Sequence, residues 1–119
     1  MKTRIRIETF PNPDARSYHT TKRISDHLVC SFRKPFEEYI LEKYFEGIGR
    51  TGKKLLKELF ALEELVRIYI EPYELVVTKN SSSCWEDVES GIFRAIEKVF
   101  GERVEDMDIV RDQYSPYRL

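Results

Sequence analysis

Between residues 66 and 100 the chain changes its hydrophobic period from two to about 3.6, and few architectures accommodate that order. Val66, Ile68 and Ile70 alternate with Arg67, Tyr69 and Glu71. Glu71-Pro72-Tyr73-Glu74 has the composition of a tight turn, and Leu75-Val76-Val77-Thr78-Lys79 resumes a β-type run. Two such runs across a short turn predict a hairpin. After Asn80-Ser81-Ser82-Ser83, residues Trp85, Val88, Ile92, Ala95, Ile96 and Val99 fall on one helical stripe. Ser83 with Glu86 three residues on predicts a capping box, and Gly101 predicts the C-terminal stop. Glu86, Asp87 and Glu89 near the start and Lys98 near the end carry the signs the helix dipole favours. A hairpin followed at once by a helix with one apolar face must bury that face on the sheet, which predicts an α+β domain.

The N-terminal half supplies a second hairpin. Ile5 and Ile7 alternate with Arg4, Arg6 and Glu8, Pro11-Asn12-Pro13-Asp14 must end the strand, and Arg16 to Thr20 returns antiparallel. Leu28, Cys30 and Phe32 alternate with Val29 and Ser31, as a continuation of that returning arm or as a separate short strand. From Pro35 the spacing of Phe36, Tyr39, Ile40 and Tyr44 predicts a helix over 35–46 with Gly47 as its stop, and Leu55, Leu56, Leu59, Phe60 and Leu62 predict another over 53–62. The expected fold is two-layered: an antiparallel sheet of two hairpins with the 53–62 and final helices on one face. A domain over 1–103 is then followed by a tail over 104–119, where periodicity fades.

The 119 residues, 41% hydrophobic and 34% charged, suffice for one core and exclude disordered, membrane-spanning and disulfide-framework classes. The N-terminal residues lack the apolar stretch of a secretory signal, so the cytosol is the expected compartment. Net charge is −1, which argues against non-specific nucleic-acid binding. Cys30 and Cys84 are the only cysteines and lie too far apart to make a CxxC pair, so both are expected as free thiols in a reducing compartment.

Several groups carry possible chemistry. Gly47-Ile48-Gly49-Arg50-Thr51-Gly52-Lys53 matches the first seven positions of a phosphate-binding loop, but Lys54 stands where Ser or Thr must hold Mg²⁺, and no buried strand precedes it. A glycine-rich link between helices explains it better. Arg50, Lys53 and Lys54 remain a candidate anion site at a helix N-terminus. His19, His27, Cys30 and Cys84 are the soft metal-ligand candidates, without the converging spacing that a site of three or four ligands needs. Cys84 near a helix N-terminus is a candidate reactive thiol, though nothing in the sequence pairs it with a base. The aromatic residues, 13% of the chain, fall mostly on expected core faces rather than on a stacking platform for bases.

Assembled, these segments resemble the N-terminal domain of Nfu/NifU-like iron–sulfur scaffold proteins. Ile7-Glu8-Thr9-Phe10-Pro11-Asn12-Pro13-Asp14-Ala15 is similar to that family's strand ending in a Thr-x-Pro-Asn-Pro turn. Lys54 to Leu62 is similar to its short helix ending in Leu-Phe, and Leu75 to Lys79 with Trp85 and Ile92 to Phe100 is similar to its final strand, tryptophan and closing helix. The CxxC by which a separate domain of full-length members holds the cluster does not occur here. The resemblance therefore implies a stand-alone, non-enzymatic module that binds a protein partner, with iron or a cluster linked to it only by family association. Pro11, Asn12 and Pro13 would shape a turn, and Trp85 would anchor the last helix. The alternatives are an anion or nucleotide binder using Gly47 to Lys54, and an enzyme centred on the Cys84 thiol.

Overall fold

A six-stranded sheet carries all its helices on one side. The structure, a computed structural model, describes residues 2–27 and 29–113, without the side chain of Gln113. Strands β1 (Arg4–Thr9) and β2 (Ala15–Thr20) form the first hairpin, and β4 (Leu65–Glu71) and β5 (Glu74–Lys79) the second. β2 pairs antiparallel with β5, which joins the hairpins into one sheet. Two further strands extend it. The short β3 (Cys30–Arg33) pairs with β4, and β6 (Asp108–Gln113) runs parallel to β1, giving the order β3-β4-β5-β2-β1-β6.

The inward residues of alternate strand positions, among them Ile5, Ile7, Tyr18, Ile68, Ile70, Leu75 and Val77, are buried. They meet Leu55, Leu56 and Leu59 of α2 (Phe45–Phe60) and Val88, Ile92, Ala95 and Ile96 of α3 (Trp85–Phe100). The α+β layering and both hairpins thus follow the sequence periodicity. Leu28 and residues 114–119 of the expected tail lie outside the described residues.

Of the two readings open for the 28–32 run, the separate short strand is the one observed: β3 does not continue β2 but crosses to the far edge, carried there by the loop whose Ile24 N–H donates to Pro72 O at 2.7 Å. Three local expectations are corrected. The helix expected over 35–46 shrinks to α1 (Tyr39–Lys43), because Phe36 stacks on Phe60 at 4.7 Å and holds the preceding segment against the end of α2. Gly47 is no stop. Helical structure runs from Phe45 to Phe60 and breaks at Gly49 (φ 79°, ψ 177°), where Asp26 and His27 donate their backbone N–H groups to the carbonyls of Ile48 and Gly47, both at 3.0 Å. At α3 the N-cap is Cys84 rather than Ser83. The Ser83 hydroxyl donates to Asn80 Oδ1 at 2.6 Å, so the capping box does not form. Gly101 closes α3 in the left-handed conformation (φ 67°), as its position predicts.

After Gly101 a short 3₁₀ turn (Val104–Asp106) leads into β6, so part of the expected tail is built into the sheet. No helix among the described residues is long and apolar enough to cross a membrane.

Candidate functional site

The β1–β2 turn is exposed yet braced by hydrogen bonds from within the molecule. Pro11, Asn12 and Pro13 are all exposed, while Asp14 N–H donates to Asn12 Oδ1 at 3.0 Å and closes an Asx turn. From below, the Trp85 indole N–H donates to Pro13 O at 2.7 Å. Lys79, with a side chain only 7% exposed, donates to Asp14 Oδ1 at 2.9 Å. The Arg16 guanidinium lies 4.5 Å from the Trp85 ring centroid and the Lys79 ammonium 5.7 Å. Trp85 therefore anchors the turn as well as the start of α3, and two cations that also pair with carboxylates lie over its ring.

Beneath the turn, α3 carries a carboxylate inside its apolar stripe. Glu89 is 6% exposed and accepts hydrogen bonds from Tyr18 Oη and Arg16, each at 2.8 Å, and from Arg111 of β6. Burial pushes its carboxyl up, but the hydrogen bonds from Arg111, Tyr18 and Arg16 outweigh that and hold it below the usual carboxylate range. The Tyr18 hydroxyl moves the other way, pushed well above the usual tyrosine range by burial and by the adjacent Glu89 charge. A phenol so held donates a hydrogen bond and does not act as a base. Sequence reasoning placed Glu89 with the dipole-compensating acids. The missed signal is its spacing, four residues after Trp85 and three before Ile92, on the buried stripe.

On the opposite, open face of the sheet, His19 Nε2 lies 3.1 Å from Glu8 Oε1, 3.0 Å from Ser17 Oγ and 3.5 Å from Glu74 Oε2, and Ser17 donates to Glu74 at 2.6 Å. This is a polar cross-strand cluster over β1, β2 and β5.

The four soft ligand candidates are not brought together. His19 sits in that cluster, His27 is exposed in the loop beside Gly47, Cys30 is half-buried on the edge strand, and Cys84 is exposed at the α3 N-cap. Burial pushes the Cys30 thiol up, the direction that disfavours the thiolate. The Cys84 Sγ–H donates to Asp87 Oδ2 at 3.2 Å, which gives the thiol an anionic carboxylate rather than an imidazole or a cation as its partner. Among the described residues no three His, Cys, Asp or Glu side chains are grouped to hold a metal ion.

The Gly47–Lys54 segment does not make a phosphate cradle. It lies within α2, no strand leads into it, and Lys53 pairs with Glu42 while Arg50 and Lys54 face solvent. The space beside Gly49 is filled by the Asp26 carboxyl group, with which any side chain at Gly49 would collide. The chain's own carboxylate thus stands at the break from which the second half of the helix starts.

The matches to known proteins agree with this architecture. The structure of SAV1430 from Staphylococcus aureus is similar to this chain with a TM-score of 0.51 at 16% identity, covering 84% of this chain and 99% of that one, which establishes a shared fold. No curated protein sequence matches. Residues 5–103 match the family described as scaffold protein Nfu/NifU N terminal. That span takes in the sheet from β1 to β5, all three helices and the Trp85-braced turn, and the chain belongs to the Nfu/NifU N-terminal family.

Proposed function

We propose that the chain is a non-enzymatic protein-interaction module linked to iron–sulfur cluster assembly, working in the cytosol and contacting its partner through the Pro11–Pro13 turn and the adjoining sheet face. The observation that carries this reading is the family match over residues 5–103, which spans both hairpins and the helices that cover them. The turn supports it. An exposed loop already fixed by Trp85 and Lys79 loses little conformational freedom on binding, so more of its contact energy appears as affinity. Iron, in this reading, belongs to the partner. The anion or nucleotide alternative draws no support from a helical Gly47–Lys54 segment set against Asp26. The enzymatic alternative draws none from a Cys84 thiol hydrogen-bonded to a carboxylate.

The test mixes the purified chain with a separately purified, cluster-loaded CxxC domain of Nfu type and measures binding by calorimetry and cluster transfer to an apo acceptor. Saturable binding that weakens in Asn12→Ala and Trp85→Ala is expected, together with a changed transfer rate. Anaerobic reconstitution of the chain alone with iron and sulfide should leave it colourless. Absence of both binding and any effect on transfer would overturn the assembly reading. Stoichiometric iron that disappears in Cys30→Ser/Cys84→Ser would replace it with a cluster carrier.

A further inference from the structure

The open face of the sheet distributes its charges unevenly. In β-pairing register, Arg33 of β3 stands directly opposite Arg67 of β4, with Thr78 of β5 next across and Ala15 of β2 beyond. One row further along are Ser31, Tyr69, Val76, Ser17, Glu8 and Asp112, and then Glu71, Glu74, His19, Arg6 and Val110.

The acids of these rows already have donors within the chain: Glu71 accepts from Tyr69 at 2.7 Å, Glu74 from Ser17, and Glu8 faces His19 and Arg6. Asp112 pairs with Arg6 at 3.5 Å. Arg33 and Arg67 differ. Both are exposed, and among the described residues neither guanidinium has an ion-pair or hydrogen-bond partner. Like charges directly opposite on paired strands repel, so this arrangement costs stability and has no compensating contact inside the molecule.

The two arginines line a surface depression of about 520 Å³ together with Asn12, Lys34, Val66 and Thr78. Asn12 belongs to the braced turn, and Lys34 is held in place by donating to Glu63 O at 2.6 Å. β3 is also the free edge of the sheet, so the pair is approached from outside without another strand in the way.

We propose that Arg33 and Arg67 form a docking site for an acidic segment of a partner protein, whose carboxylates the two guanidinium groups receive. Charge complementarity carries the choice of occupant. Two planar, five-donor groups side by side match carboxylates bidentately, and only an incoming anion relieves their mutual repulsion. A compact group of carboxylates seated at the β3 edge fits better than a long polyphosphate backbone, because the acidic rows farther along the same face repel an anion that continues past the two arginines. This site deepens the interaction-module reading and rests on it only for the nature of the partner.

The probe is a blocked hexaglutamate peptide titrated into the isotope-labelled full chain, followed by amide chemical shifts, with hexathymidylate and inorganic phosphate as parallel arms. Perturbations are expected at 31–34, 66–68, 78 and the 12–14 turn, weakening steeply with salt. In Arg33→Gln/Arg67→Gln the peptide affinity should fall at least tenfold, while Arg50→Gln/Lys54→Gln leaves it unchanged. Thermal unfolding checks the double variant, which should melt no lower than the parent since a repulsive pair has been removed. Shifts centred on other basic residues, or an affinity indifferent to the double substitution, would overturn the proposal. Equal or tighter binding of hexathymidylate at the same residues would overturn it in favour of a nucleic-acid site. If the hexaglutamate site behaves as stated but the cluster-loaded CxxC domain does not bind, the assembly reading fails and the acidic-partner site stands.

Discussion

Glu89 is a charge carried into the apolar stripe of a helix and held there by three donors from two strands: Arg16 and Tyr18 of β2 and Arg111 of β6. Because its folded-state carboxyl titrates below its unfolded value, the stability it contributes is fully present above the ordinary carboxylate range. That stability is lost as pH falls through the lower folded value. Glu89→Gln should therefore lower stability at neutral pH by about 3 kcal/mol, the cost of breaking a buried charged network. It should also flatten the loss of stability on acidification. Urea midpoints between about pH 3 and 7 check both effects, and a variant that loses stability with acid as steeply as the parent would show that other carboxylates govern the acid limb. Tyr18→Phe removes a single donor and should cost about 1–2 kcal/mol. The signal for Glu89 was present in the sequence as its place on the stripe, but a helical wheel cannot supply the partners that make such burial tolerable.

At the scale of elements, the glycines of α2 and α3 do different work. Gly49 sits at φ 79° and ψ 177°, a region open almost only to glycine, and a Cβ there would collide with the Asp26 carboxyl group. Gly101 sits at φ 67° with nothing within 4 Å of an added Cβ. Gly101→Ala should cost about 1 kcal/mol from backbone conformation alone, and Gly49→Ala should cost at least about 2 kcal/mol because a collision is added to the backbone penalty. Equal urea midpoints for the two variants would refute the packing of the 24–27 loop on the helix break. On β4, Arg67→Gln should stabilise by several tenths of a kcal/mol by removing like charge opposite Arg33, an effect that shrinks with added salt. Hairpins and helix α3 were legible in sequence because each needs only local period and turn chemistry. The break at Gly49 was not, since the residues that accommodate it, Asp26 and His27, are brought there by tertiary packing.

In the whole molecule, β6 closes the edge that β1 would otherwise expose, and it lies beyond the residues that match the family. Its ties are Arg4–Asp108 at 2.8 Å, Arg6–Asp112 at 3.5 Å and Arg111–Glu89, along with the parallel ladder itself. A chain ended after Met107 should lose hydrogen-exchange protection along β1, unfold at lower urea, and self-associate with rising concentration in light scattering, because an unpaired edge invites another strand. A monomer of unchanged stability would show that β6 contributes little to the sheet. The sequence by itself determined the layering, both hairpins, the α3 helix and its glycine stop, and the family, because periodicity and turn residues are properties of neighbours along the chain. Only the tertiary structure decided that β3 and β6 extend the sheet from its two ends and that Glu89 finds three donors. The meeting of Arg33 and Arg67 at one row was likewise decided there. Each of these is a pairing between residues remote in sequence, fixed by which surfaces the packed layers leave next to one another.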